Sequence, residues 1–144
     1  MAFLTIFPNT PGCTVVIPRE HTPSYFVEAN PATLAGLMDF SKQVASVLDA
    51  AFDDVGRTAL VFEGYGVDHL HAKLFPMHGT PKPGEPWRQI KSDINAWSDT
   101  YKGYISSHDC NTCSDDELDR VHAHILARKA TLPSARGDTG PKTT

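Results

Sequence analysis

Two histidines and a lysine occupy alternate positions in residues 67–76, namely His69, His71 and Lys73. The positions between them are apolar: Leu70, Ala72 and Leu74. On an extended strand this alternation would place the imidazoles and the ammonium on one face, about 7 Å apart, with apolar side chains on the other. A neutral imidazole is nucleophilic near pH 7, and an ammonium attracts anions. The pattern therefore predicts a site for an anionic substrate, above all a phosphate.

The composition sets broad limits on the rest of the molecule. The chain has 144 residues, of which 40% are hydrophobic and 21% charged, which suits one globular domain. The formal net charge is −4, so no general basic field attracts nucleic acid or membranes. No apolar run approaches the ~20 residues of a membrane helix, and no secretory signal is evident at the N-terminus. Three cysteines, an odd number, argue against a disulfide framework and favour the cytoplasm.

Four segments are predicted to form strands because they are rich in β-branched and aromatic residues: 2–7, 13–18, 58–62 and 67–76. The last two are separated by the glycine-containing turn 63–66, which predicts antiparallel neighbours.

Two segments carry helix signals. Asn30 and Pro31 suit an N-cap and a first helical position, and an apolar stripe with a 3.6-residue period continues to Phe52. Ser114, followed by an acidic turn, matches a capping box that opens a second helix. Residues 78–88 are predicted to be an irregular loop, and residues 89–107 carry only a weak helical pattern.

These elements predict an α+β fold in which a long helix packs on an antiparallel sheet. We expect residues 1–80 to form the core of the domain, residues 81–132 to form a C-terminal extension with a helix, and residues 133–144 to be a flexible tail.

Three segments taken together resemble the histidine triad (HIT) family of nucleotide hydrolases and transferases: residues 3–8, 11–21 and 69–74. The resemblance covers residues 2–79 and lies mainly in Gly-x-x-x-Val-Ile-Pro-x-x-His and His-x-His. It implies an antiparallel sheet with a packed helix, commonly in a homodimer. The family pattern usually begins earlier, with a helix and a strand, so this chain starts at what resembles the second strand.

The resemblance also implies a reaction. The middle histidine, here His71, attacks the α-phosphate of a substrate such as a dinucleoside polyphosphate or a nucleoside phosphoramidate, and a nucleotidyl-histidine intermediate results. His69 is expected to support His71, and no metal or other cofactor is expected. Lys73 replaces the third histidine of the triad. It is expected either to hold a phosphate oxygen or to form a salt bridge with a neighbouring carboxylate.

Further residues are candidates for substrate binding. Gly64 and Gly66 would let the backbone approach a phosphate, and His21 matches the downstream histidine of the family. His78 is either a phosphate contact or a solvated loop histidine. Ile6, together with Phe3, would line a slot for a base or belong to the core. The candidate substrate-binding residues are Ile6, His21, Gly64, Gly66 and His78.

Several family positions are altered. Thr5 replaces an aspartate that binds ribose, Phe62 replaces an asparagine near the leaving group, and Gly66 replaces a serine or threonine. Cys13, which replaces a histidine, is expected to be a buried thiol. These changes leave open an alternative, a nucleotide- or phosphate-binding protein with weak or no catalysis.

A second cluster raises the possibility of a metal site. Cys110 and Cys113 form a Cys-x-x-Cys pair, His108 precedes them, and His122 and His124 follow. Four such ligands could bind zinc, but two histidines two residues apart on a helix do not share a face. Zinc, a disulfide or redox pair, and unligated thiols remain as interpretations, and the last is favoured in a reducing compartment.

Overall fold

The computed structural model describes residues 1–91, 99–101 and 111–131. These residues form four strands, two α-helices and one short 3₁₀ turn. The strands are β1 (Ala2–Leu4), β2 (Thr14–Val16), β3 (Val55–Val61) and β4 (Ala72–His78). The helices are α1 (Pro31–Ala51) and α2 (Asp115–Lys129). The predicted α+β fold, with a long helix on an antiparallel sheet, is confirmed.

The sheet has the order β1-β2-β4-β3, and each neighbouring pair is antiparallel. The predicted pairing of the third and fourth strands is confirmed, although ten residues, 62–71, join them rather than a tight turn. Lys73 lies opposite Val15 of β2 and Val61 of β3. Since directly opposed residues share a face of the sheet, this register places the Lys73 side chain between two valines.

The fourth strand is shorter than predicted. β4 starts at Ala72, so His69 and His71 precede it instead of lying on it. The backbone bends at residues 65–69, where the His69 N–H donates to the Val67 carbonyl, 2.8 Å away. The Asp68 carboxylate also accepts a hydrogen bond from the Ser24 N–H. One local and one long-range hydrogen bond thus accompany the departure from the extended path that alternation alone favoured.

Helix α1 begins as its sequence predicts. The Asn30 side chain accepts a hydrogen bond from the Ala32 N–H at 2.9 Å, and Pro31 is the first helical residue. Its buried face turns Leu37, Ser41 and Leu48 toward the core. The helix packs on β2, β3 and β4, and so covers one face of the sheet.

Helix α2 also begins at its predicted cap, because the Ser114 hydroxyl accepts a hydrogen bond from the Glu117 N–H at 3.3 Å. The helix packs on α1, and its Ile125 joins the main core cluster. Cys113, which directly precedes the N-cap Ser114, donates its N–H to the Ile6 carbonyl at 2.9 Å. The predicted tail 133–144 lies outside the described residues.

The core lies between α1, α2 and one face of the sheet. Its buried members are Val16, Leu37, Leu48, Ala51, Leu70, Ala72, Leu74 and Ile125. Among the described residues, neither helix combines the length and the apolar character needed to span a bilayer.

Candidate active site

His71 lies directly before β4 and is only 7% exposed. Its neighbours Leu70 and Ala72 are completely buried in the core, so the intervening imidazole lies on the opposite side of the chain. The Nδ1 atom is 2.7 Å from the His69 carbonyl oxygen. A carbonyl only accepts, so Nδ1 carries the proton, and neutral His71 has its lone pair on Nε2. Within the described part of the chain, Nε2 has no hydrogen-bond partner.

His69 supports His71 through its main chain, since its carbonyl is the acceptor just described. The His69 ring points elsewhere. Its Nε2 is 3.3 Å from the Pro18 carbonyl, and its Nδ1 is 3.3 Å from Nδ1 of His21. If Nε2 donates to Pro18, the His69 Nδ1 accepts and His21 donates.

Asp68 holds the loop that carries these histidines. Its carboxylate accepts the Ser24 N–H at 3.0 Å. This hydrogen bond, with a smaller contribution from the Ser24 side chain, lowers the pKa of Asp68 below its usual value. Positive charge on His21 or His69 lowers the pKa further, and desolvation opposes the shift. Asp68 is thus kept as an anion beside two rings that can accept protons.

Lys73 is buried and paired. Its Nζ lies 3.4 Å from Oε2 of Glu63, and the two side chains are 3% and 5% exposed. The second carboxylate oxygen of Glu63 accepts the Tyr101 hydroxyl at 2.9 Å. Of the two arrangements expected for Lys73, the salt bridge is therefore present. An ammonium has three N–H groups, so one bond to Glu63 leaves two for a phosphate oxygen.

The two candidate glycines differ in their surroundings. Gly64 has φ = +85°, and a Cβ there would lie 3.3 Å from the Ser24 carbonyl oxygen. A glycine at position 64 thus lets the chain after β3 run close to the Ser24 backbone. Gly66 is exposed in the bend before His69.

One row of side chains crosses the sheet on the Lys73 face. Phe3 pairs with Val15, and Val15 pairs with Lys73. Two strand spacings separate Phe3 from Lys73, about 10 Å. Phe3 is 47% exposed, so its ring is accessible on that face. Ile6 lies two residues past the end of β1 and is 51% exposed, so the structure excludes it from the buried core.

His78 lies at the far end of β4 from His71. Its Nδ1 is 3.0 and 3.1 Å from the two carboxylate oxygens of Asp54, and its Nε2 is 3.1 Å from the Pro11 carbonyl. The structure thus brings together His21, His69 and His71, and separates His78 from them.

The second cluster falls only partly within the described residues. His108 and Cys110 lie outside them, and no group of three potential metal ligands occurs among the residues that are described. The His124 Nε2 donates to the Ala51 carbonyl at the end of α1. Cys13 is 1% exposed, as predicted.

Glu63 and Tyr101 were missed by sequence reasoning. Glu63 is ten positions from Lys73, and nothing in the local pattern distinguishes it from a solvated turn carboxylate. Tyr101 comes from a stretch with weak periodicity, 38 positions from Glu63. One signal was available: a lysine predicted to be on a sheet face between apolar cross-strand partners requires a counter-charge.

A protein-family comparison matches the HIT domain over residues 1–80, more than half of the chain. The antiparallel sheet, the packed helix and the histidine pair before β4 all lie within that match. The chain belongs to the HIT family, whose members bind nucleotides.

Two solved structures share the fold. A hypothetical histidine triad nucleotide-binding protein from Sulfolobus tokodaii strain7 is 22% identical, with a TM-score of 0.57 over 91% of this chain and 78% of that one. A Hit-like protein involved in cell-cycle regulation from Bartonella henselae, solved with an unknown ligand, is 20% identical. Its TM-score is 0.58 over 88% of this chain and 78% of that one.

Proposed function

We propose that this protein is a metal-independent nucleotide hydrolase or nucleotidyltransferase in which His71 is the nucleophile. The Nε2 atom attacks the α-phosphorus, the bond from phosphorus to the leaving group breaks, and the leaving group departs with the electron pair and takes a proton from water. Water or another acceptor then attacks the same phosphorus and releases its own proton to the solvent. The N–P bond breaks, the nucleotide is released, and the electron pair returns to Nε2.

The observation that carries this proposal is the 2.7 Å contact between His71 Nδ1 and the His69 carbonyl. It fixes the neutral tautomer in which Nε2 bears the lone pair, and it limits rotation of the ring. A nucleophile must be both available and oriented, and burial at 7% exposure restricts competing water.

The surroundings of His71 suit a phosphate with an attached base. Lys73 follows two residues later and has N–H groups beyond the one directed at Glu63. Phe3 presents an accessible aromatic ring about 10 Å from Lys73 on the same face. We propose that a base stacks near Phe3 and Ile6 while its α-phosphate lies at His71, with His21 and the Gly64–Gly66 segment beside it. His78, at the other end of β4, is left out of this arrangement.

Trapping the intermediate is the direct test. The protein is mixed with a dinucleoside polyphosphate or a nucleoside phosphoramidate labelled at the α-phosphorus and quenched within one turnover. We expect label on the protein that acid releases, as an N–P bond requires, and that peptide mapping assigns to His71.

His78→Ala is the matched control, because it removes a histidine at the opposite end of β4 from His71. We expect this variant to retain the label and His71→Ala to lose it. Label at another residue, or full turnover by His71→Ala, would contradict the mechanism.

One observation favours a second candidate, a nucleotide-binding protein without turnover. The Lys73 charge is already balanced by Glu63, which weakens the net attraction for a phosphate. Calorimetric binding of nucleoside monophosphates, with no product from labelled substrates after a day, would support this candidate over the enzyme.

Two further features belong to the proposal. Met38 on α1 is 45% exposed, and β3 is an edge strand of the sheet, so we propose a homodimer that covers them. Sedimentation equilibrium of the wild type against Met38→Glu tests this, since the charge should favour monomers.

We also propose a cytoplasmic location, because three cysteines suit a reducing compartment. Residues 81–132 are proposed to extend the same domain.

A further inference from the structure

A buried carboxylate lies behind the altered triad position. Glu63 has a 5% exposed side chain and makes two contacts: Oε2 to the Lys73 ammonium and Oε1 to the Tyr101 hydroxyl. Both of its oxygens are therefore engaged by donors from different parts of the chain. A carboxylate held in this way has a fixed position and a fixed negative charge.

The other groups around Lys73 provide no compensating charge. Its cross-strand partners are Val15 on β2 and Val61 on β3, and both are apolar. His71, two residues earlier, is neutral or positive. Within the described part of the chain, Glu63 is thus the ion-pair partner of Lys73, and the Tyr101 hydroxyl contacts Glu63 in turn.

Burial disfavours a charged lysine unless a counter-charge accompanies it. At 3% exposure, a lone Lys73 would tend toward the neutral amine, which cannot supply positive charge to a phosphate. Glu63 restores the ammonium and directs one N–H toward itself, so the two remaining N–H groups have a defined direction.

We propose that Glu63 is a positioning residue, which keeps Lys73 charged and oriented beside His71, while the Tyr101 hydroxyl holds Glu63 in place. Glu63 touches no substrate and acts through Lys73. This inference rests on the proposed function, and it adds the residue that makes a lysine workable where the family has a histidine.

The pH profile of kcat/KM separates this role from a purely structural one. In Glu63→Gln the buried ammonium loses its counter-charge and gives up its proton at lower pH. We expect activity to decline on the alkaline side about one pH unit earlier than in the wild type, with a loss on the order of tenfold or more at pH 8. Glu63→Asp keeps the charge, so its profile should stay near that of the wild type at a reduced rate. Glu85→Gln removes an exposed carboxylate and serves as the control.

A double-mutant cycle tests whether Glu63 acts through Lys73. Removing one member of a buried ion pair destabilises a protein, so Glu63→Gln is expected to lower the fraction of folded molecules. E63Q/K73M removes both charges, so we expect it to be more stable than Glu63→Gln. The folded fraction of each variant is measured by thermal unfolding, and kcat/KM is expressed per folded molecule. We expect E63Q/K73M to equal Lys73→Met alone, since Glu63 has nothing left to position.

Three results would overturn the proposal: an unchanged pH profile in Glu63→Gln, full activity in Lys73→Met, or additive losses in the double variant. Failure of the proposed function itself looks different, because the wild type would then form no labelled intermediate. For Tyr101→Phe we expect a smaller loss of kcat/KM than for Glu63→Gln, with the pH profile shifted in the same direction. This result would support the role of Tyr101 in holding Glu63. An equal or opposite effect would count against Tyr101 as the support for Glu63.

Discussion

Strand β4 has a histidine at each end, and the two are held in opposite ways. His71, just before the strand, has one ring nitrogen bound to a carbonyl and the other without a hydrogen bond in the described part of the chain. His78, the last residue of the strand, faces oxygen acceptors with both nitrogens, the Asp54 carboxylate and the Pro11 carbonyl. Both ring nitrogens of His78 therefore lie within hydrogen-bond distance of an oxygen atom.

The difference teaches how one residue type serves chemistry or structure. A histidine with a lone pair that no partner occupies can attack phosphorus, whereas a histidine whose two ring nitrogens both contact oxygen atoms joins two segments. His78 links the turn after α1 to the loop between β1 and β2, and its ring packs edge-on against Phe52 at 4.9 Å. The proposed roles of the two histidines therefore rest on their ring contacts rather than on their positions along the strand.

The largest expected effect comes from His71→Ala. If the lone pair on Nε2 is the nucleophile, kcat/KM should fall by about three orders of magnitude or more, because no other group replaces it. Thermal unfolding should change little beyond the loss of one side-chain hydrogen bond. Steady-state kinetics and calorimetry on the same preparation measure both. A loss of stability without loss of turnover would reverse the roles of the two strand ends.

His21→Ala should have an intermediate effect. The variant removes the imidazole whose Nδ1 lies 3.3 Å from that of His69, and so frees the His69 ring to rotate. Since the His69 carbonyl still orients His71, we expect kcat/KM to fall only about tenfold. His21→Gln keeps a donor at this position and should recover part of the loss. A His21→Ala enzyme as impaired as His71→Ala would make His21 part of the reaction.

His78→Ala should act on stability. It removes two hydrogen bonds and an aromatic contact, so we expect the free energy of unfolding to fall by about 1–2 kcal/mol in urea titrations. Turnover per folded molecule should remain within about twofold, since the ring lies at the other end of β4. A loss of turnover without a loss of stability would show that the contacts of His78 affect catalysis at the opposite end of β4.

The smallest effect concerns acid. The hydrogen bond from His78 lowers the pKa of Asp54 below its usual 3.8, the positive charge of His78 adds to this, and desolvation opposes it. A carboxyl with a lowered folded pKa stabilises the protein above its unfolded pKa, and this contribution disappears as pH falls through the folded value. The stability gap between wild type and Asp54→Asn should therefore be largest near neutral pH and close below about pH 3.8. Unfolding curves from pH 3 to 7 measure it, and a gap that stays constant would exclude the pairing.

Local signals predicted those elements whose determinants are local. The α1 boundary follows from Asn30 and Pro31, and α2 from Ser114, because a cap is a contact within a few residues. His71 was singled out by a similarly local signal, the apolar residues on either side of it, and its role as nucleophile stays a prediction.

What failed depends on contacts between distant segments. Alternation through His69 imitated a strand, yet the path of residues 65–69 is set by the bond from Ser24 to Asp68, 44 positions apart. The Glu63 partner of Lys73 likewise depends on the route of a ten-residue connection. Such contacts carry no period in the sequence, so the pattern predicted a longer strand than the one that forms.

The place of Ile125 in the core separates two meanings of a domain. The family match ends at residue 80, but Ile125 of α2 lies in the same buried cluster as Leu48 and Ala72. The family match thus covers less of the chain than the buried cluster does. We expect a fragment cut at residue 80 to expose the apolar surface that α2 covers, and a fragment that extends to Lys129 to keep it buried.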